Sequence, residues 1–273
     1  MTDQRDPLDA EAFHRTSTLF LEKSKVLAPE AVEELAQDIV RRLSGMKRTP
    51  NVAPDDLAPA SRIAAFCDAL VQPTPSAALS FILDRQAEGA DRHVLLYGYL
   101  AGAARMLGAR WDADENSFYD VIHGTGHLYA LMRALWPDRE REGGSAFNRR
   151  NALFALVPGE THSFGVTVAA ETFREAGWRI DLQIGLDQEA LVQHVRLTEP
   201  AIIGLSLSTQ DRLAALIRLV VALRLVRPQA IIGVAPAIDM SGDVLHRVVD
   251  IDAVFRDARA AVRDLDWMLQ LRV

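Results

Sequence analysis

His162 lies in the stretch Pro158-Gly159-Glu160-Thr161-His162-Ser163, between an apolar run, Ala152 to Val157, and an apolar-periodic helical pattern that begins near Phe164. The run reads as a buried strand, which makes the loop the carboxyl end of a strand–loop–helix unit. In an open α/β sheet that edge is where ligands bind. An imidazole in such a loop can present one ring nitrogen to a metal centre, provided its other nitrogen is held. Glu160, two residues earlier, is placed to hold it, because a carboxylate accepting the second N–H fixes the tautomer and raises ligand basicity. The competing reading is a loop histidine that merely hydrogen-bonds its neighbours. Gly165, at the helix start, permits close approach of a bulky group to the backbone.

Other residues carry weaker chemical signals. His123 and His127 stand four apart, hence on one helical face, with Gly124 and Gly126 beside them allowing close packing. They read either as an axial ligand or metal pair, or as ordinary polar-face residues, and no acidic partner stands at zincin spacing. Ser206 and Ser208, within GLSLST, follow another apolar run. Ser208 or Thr209 would cap the helix that follows, with Asp211 completing a Ser-x-x-Asp box. The single cysteine, Cys67, sits in an apolar helical pattern with Ile63, Phe66 and Leu70. It reads as a buried core thiol and excludes an internal disulfide or a cysteine-rich metal site.

The elements that must position these residues fall into four parts. Residues 1–58 read as an amino-terminal helical arm and linker, with a strong helix from Pro29 to Leu43. Residues 59–137 read as a helical bundle with helices near 59–71, 76–87, 91–108 and 115–136, Ser117 and Asp120 forming a capping box. Residues 138–148 are polar and glycine-containing and read as a linker. From residue 149 to 273 short apolar runs alternate with helical patterns. Five βα units predict a doubly wound parallel sheet of flavodoxin-like order 2-1-3-4-5, whose first and third strands flank the switch point. Forty-nine per cent hydrophobic and 25% charged residues are ordinary for a globular chain, and the formal charge of −7 argues against a nucleic-acid backbone as the primary ligand. No apolar stretch is long enough to span a membrane and no secretory signal pattern opens the chain, so a cytoplasmic location is expected.

The carboxyl-terminal half resembles cobalamin-binding domains, whose pattern is Asp-x-His-x-x-Gly after the first strand, Ser-x-Leu or Ser-x-Thr after the third, and Gly-Gly after the fourth. The corresponding residues are Glu160, His162 and Gly165, then Ser206 and Ser208, then Gly233 and Val234 within IIGVAP. IDAVFRDARAAV is similar to the family's last strand and helix, and LGARWDADENSFYDVIHGTGHL to the bundle that caps the corrin ring. The resemblance covers roughly residues 60–270, and the subgroup it points to is the PpaA/AerR antirepressors of phototrophic bacteria, with haem-binding relatives of the same fold as neighbours.

That resemblance implies cobalamin as cofactor, with haem as the alternative. It implies His162 as lower axial ligand, Glu160 as its holder, and Ser163, Gly165, Ser206, Ser208 and Gly233 around the cofactor. Trp111 would be a lid over the ring, with core packing at a helix end as the alternative, and His123 or His127 a possible upper ligand. Val234 replaces the second glycine, which lines the channel entered by the nucleotide tail, and a β-branched side chain there should narrow it. A partly inserted tail, a tail-free tetrapyrrole such as haem, and an empty site are all compatible with that substitution. The Trp-x9-Glu-His signature of light-sensing cobalamin regulators is not matched, since Val121 and Ile122 stand at its Glu-His.

Three functional classes follow. The first is a non-enzymatic sensor in which a tetrapyrrole between bundle and sheet controls binding to a transcriptional repressor protein, with oligomerisation possible. No helix-turn-helix reader is recognisable, so control through a protein partner is expected. The others are a corrinoid methyl carrier of a methyltransferase system and an adaptor without cofactor.

Overall fold

Five parallel strands and the helices between them form the carboxyl-terminal half of a computed structural model that describes residues 8–46, 58–135, 150–236 and 241–271. The chain divides into two compact units, Met1–Pro137 and Asp138–Val273. The segments expected as linkers, 138–148 and nearly all of 46–58, lie outside the described residues.

The first unit is helical. Asp9 caps α1 (Ala10–Val26) by accepting from the Ala12 N–H, and Pro29 opens α2 (Pro29–Ser44), where its missing N–H costs nothing. Three shorter helices follow, α3 (Ala60–Leu70), α4 (Ser76–Ala87) and α5 (Ala101–Asp112), the last entered through a π-helical segment, Val94–Leu100. The expected Ser117–Asp120 capping box starts α6 (Phe118–Ala134).

Two expectations are corrected here. The first is that residues 1–58 are an arm and linker, with the bundle confined to 59–137. Instead α1 and α2 belong to the bundle: α1 packs along α6, α2 along α5 and α6, and Phe13, Phe20, Ile39 and Leu43 are all buried. The second is that the helix expected near 91–108 stops at Gly108. It lies inside α5, where a Cβ would stand 3.0 Å from Val40 of α2, so this glycine serves close helix packing rather than termination. Cys67 is a buried free thiol.

Gly126 is tighter still, because a Cβ there would meet Phe20 Cδ1 at 2.6 Å. Gly126→Ala gains about 1 kcal/mol of helix propensity but forces a wholly buried aromatic ring against backbone, which costs roughly 1–3 kcal/mol. The net expectation is a loss of about 1 kcal/mol, read as a lower urea midpoint at unchanged slope.

The second unit alternates strand and helix. It runs β1 (Asn151–Leu156), α7 (Phe164–Glu175), β2 (Arg179–Gln183), α8 (Gln188–Thr198), β3 (Ile202–Leu207), a 3-10 turn (Gln210–Arg212), α9 (Leu213–Val226), β4 (Ile231–Pro236), α10 (Gly242–Val248), β5 (Ala253–Val254) and α11 (Ala258–Leu271). All strand pairs are parallel and the order is β2-β1-β3-β4-β5, the flavodoxin-like arrangement expected from the sequence. The central strands are continuous apolar runs because helices cover both faces. On one face Ala152, Phe154, Leu156, Ile202 and Ile231 pack with Val166, Ala170 and Phe173 of α7 and with Ala261 and Leu265 of α11. No helix among the described residues is long and apolar enough to cross a membrane.

Candidate cofactor site

Chain order reverses between β1 and β3, so the loops after these two strands diverge and leave a crevice at the sheet's carboxyl edge. The β1 loop begins with a tight turn in which the Glu160 N–H donates to the Val157 carbonyl at 2.9 Å. Pro158 suits the turn's second position, and Gly159, at φ 81°, takes the left-handed third position that favours glycine. The turn delivers Glu160 into a nearly closed environment, its side chain 3% exposed, while the His162 side chain is 72% exposed.

Every group around the Glu160 carboxylate is a donor. Oε1 accepts from the Thr161 N–H at 2.9 Å, the His162 N–H at 3.1 Å and His162 Nδ1 at 2.7 Å. Oε2 accepts from the Ser208 N–H at 3.0 Å, which ties the β1 loop to the β3 loop across the crevice. Burial alone would raise the Glu160 pKa, but the bonds from the His162 ring and from the three backbone N–H groups outweigh it and bring it down to about 2. An ionised carboxylate offers no proton, so His162 Nδ1 carries the hydrogen of this bond, and the neutral form of the ring has its lone pair on Nε2. The carboxylate thus selects one tautomer, with Nε2 on an exposed ring. This donor set fits an axial metal ligand, and a single carboxylate joins both loops.

Below that edge, between the sheet and helices α7 and α11, lies a cavity of about 220 Å³. Gly165, Gly204, Ser206, Gly233 and Ala235 line it, together with the rings of Phe154 and Phe255. Gly204 and Gly233 lie on one face of neighbouring strands, opposite each other in register. A Cβ built on Gly165 would meet nothing within 4 Å, so that side of the cavity is open.

The expected site residues thus separate. His162, Glu160 and the Ser208 backbone form one hydrogen-bonded group, and Gly165, Ser206 and Gly233 form the cavity. Ser163 precedes α7 without a side-chain cap, and its carbonyl accepts from the Thr167 N–H and hydroxyl.

Three expectations are corrected. Val234 does not narrow the cavity, for strand alternation puts Gly233 and Ala235 on the cavity face and turns the wholly buried Val234 to the other face of the sheet. Neither Ser208 nor Thr209 caps the following helix with its side chain. His127 is 3% exposed, its Nδ1 hydrogen-bonded at 2.7 Å to the Leu70 carbonyl inside the bundle, where burial first and the nearby His123 second hold its pKa down. It is a core residue rather than an upper ligand. His123 is half-buried and stacks on it at 6.3 Å, and Trp111 is half-buried at the end of α5.

The sequence reading missed Gly204, Phe154 and Phe255. Gly204 was accessible in principle, because it precedes Ser206 by two residues and so shares its face. The two rings could not be placed without the sheet order.

A parallel sheet with a carboxylate-held imidazole at its switch point defines a ligand-binding α/β domain suited to a metal-centred cofactor. Residues 150–266, most of the carboxyl-terminal unit, match the B12 binding domain family. Over 79 residues the chain is 32% identical to an uncharacterised 20.5 kDa protein in the bchF-crtJ intergenic region of Rhodobacter capsulatus, a match covering 29% of this chain and 41% of that relative. Among solved structures it is similar to a cobalamin-binding protein from Desulfitobacterium hafniense DCB-2, with 23% identity, 78% and 98% of the two chains covered and a TM-score of 0.39. It is also similar to the Methanosarcina barkeri monomethylamine corrinoid protein, with 16% identity, 77% and 100% covered and a TM-score of 0.40.

Proposed function

We propose that this protein is a cobalamin-binding regulator, held to its cofactor by His162, that controls transcription through a repressor protein. One observation carries the cofactor assignment: His162 Nδ1 is bound to an ionised, buried Glu160, which selects the tautomer with its lone pair on Nε2, at the same sheet edge that carries a glycine-lined cavity. Bound there, a corrinoid would supply the redox and ligand-exchange chemistry of its cobalt centre. The chain's own contribution is to hold the imidazole's tautomer, present Nε2, and offer an apolar recess beneath it.

The regulatory part rests on the likeness to the PpaA/AerR antirepressors and on the relative from the bchF-crtJ intergenic region. The acidic balance of the chain favours a protein partner over direct contact with DNA.

The test begins with absorption spectra of the apoprotein mixed with hydroxocobalamin, and separately with haemin. The expected result is an axial-ligand shift with hydroxocobalamin that disappears in His162→Ala, while the protein stays folded with a thermal midpoint lower by only a few degrees, since Glu160 loses one hydrogen bond and keeps its three backbone N–H donors. A shift that survives in His162→Ala removes this residue as the ligand, and a shift with haemin alone removes the cobalamin assignment. Repressor-bound promoter DNA should then be released by the cofactor-loaded protein and not by His162→Ala.

A further inference from the structure

The two glycines facing the cavity are each covered by an aromatic ring. A Cβ on Gly204 would lie 2.8 Å from Phe154 Cδ1, and one on Gly233 would lie 2.9 Å from Phe255 Cδ2 and nearer still to Cε2. The room made by deleting both side chains is therefore already occupied. The two rings are held differently. Phe154 is buried and packs edge-on against Phe173 at 4.9 Å, and Phe173 packs in turn against Trp178 at 5.3 Å. Phe255 is half-buried, follows the two-residue strand β5, and has no aromatic partner among the described residues.

A corrinoid held through His162 Nε2 would have its tethered nucleotide free to enter the cavity at the same sheet edge. An apolar cavity of about 150 Å³ holds a benzene, so about 220 Å³ is the scale of a fused two-ring base and falls short of a whole nucleotide. The space over Gly233 is filled by Phe255.

Resting on the cobalamin reading above, we propose that Phe255 is the residue that sets selectivity for the lower tail. Its ring over Gly233 keeps the tail from entering fully, so the domain takes corrinoids with and without a nucleotide tail about equally. Removing the ring uncovers Gly233 and turns the same domain into one that prefers the tailed form.

The test is a titration of the full chain with hydroxocobalamin and with diaquocobinamide, which lacks the nucleotide, read by the His162-dependent absorption shift. Wild type should bind the two within about threefold. Phe255→Ala should bind hydroxocobalamin about tenfold more tightly, the scale of an aromatic ring's burial, and diaquocobinamide unchanged. Phe255→Leu, which keeps the apolar contacts of the fold, should show the same direction with a smaller gain. Wild type preferring hydroxocobalamin by more than about tenfold, or both variants leaving the ratio unchanged, overturns the role of Phe255 while the cofactor assignment stands. Absence of any His162-dependent shift with either compound overturns the cofactor assignment, and this inference with it.

Discussion

Glu160→Gln is expected to destabilise the carboxyl-terminal unit by about 2 kcal/mol at pH 7 and to weaken cofactor binding about 10- to 100-fold. Glutamine has the same shape but only one acceptor oxygen. Both carboxylate oxygens receive hydrogens, Oε1 from His162 Nδ1 and two backbone N–H groups, Oε2 from the Ser208 N–H. Whichever way the amide is turned, its NH₂ faces a donor, and a buried donor is left without a partner. If the NH₂ faces His162, the ring loses what fixes its tautomer and Nε2 is no longer the assured lone pair.

The pH dependence separates this account from a general loss of packing. Glu160 is depressed to about 2 in the folded chain, so its contribution is complete above the ordinary carboxylate range and is lost as pH falls toward 2. The depression corresponds to about 3 kcal/mol. Urea unfolding at pH 7 and pH 3 should therefore show the gap between wild type and Glu160→Gln narrowing at the lower pH, because wild type alone loses this carboxylate. A variant as stable as wild type at pH 7, or a gap that does not change, would show that the carboxylate does not carry the loop.

What could be read from the sequence follows the range of the interactions. The strands were legible because central strands of a parallel sheet are unbroken apolar runs, and the sheet order followed from five successive βα units. The Glu160–His162 pair was legible because it is local, two residues apart on one loop. Its second half was not: Ser208 joins through a backbone N–H, a group every residue except proline has, so its hydroxyl suggested a helix cap instead. Val234 was misjudged because the choice between the faces of a strand turns on a one-residue register, and alternation from Gly233 decides it. The same limit hid the role of α1, where Phe13 and Phe20 read as one stripe of an amphipathic helix and nothing local says which neighbour buries them.

Arg224 shows that limit most clearly, and its replacement should have the largest effect of any single change in the second unit. In LIRLVVALRLV it looks like the basic residue of a last helical turn, yet it is 1% exposed. Its Nε donates to the Asp250 carbonyl at 3.0 Å, Nη1 to the Ala230 carbonyl at 2.6 Å, and Nη2 to Asp252 Oδ2 at 2.7 Å. Asp252 Oδ2 also accepts the Ile232 N–H at 2.7 Å, so one guanidinium ties α9 to the start of β4 and to the turn into β5. Removing it leaves a void, two carbonyls without donors and a carboxylate without its cation. Arg224→Ala should cost about 3–5 kcal/mol. Arg224→Met, which fills the volume but not the hydrogen bonds, should recover only part of this, roughly the packing contribution of the stem.

The consequence reaches the cavity, because β4 carries Gly233 and β5 leads directly into Phe255. With the clamp gone, amide exchange should rise in β4 and β5 before it rises in β1, and any preference between tailed and tail-free corrinoids should shift in the direction of Phe255→Ala. If Arg224→Met proves as stable as wild type and exchanges no faster at the β4–β5 edge, the hydrogen bonds of Arg224 add nothing beyond filling space.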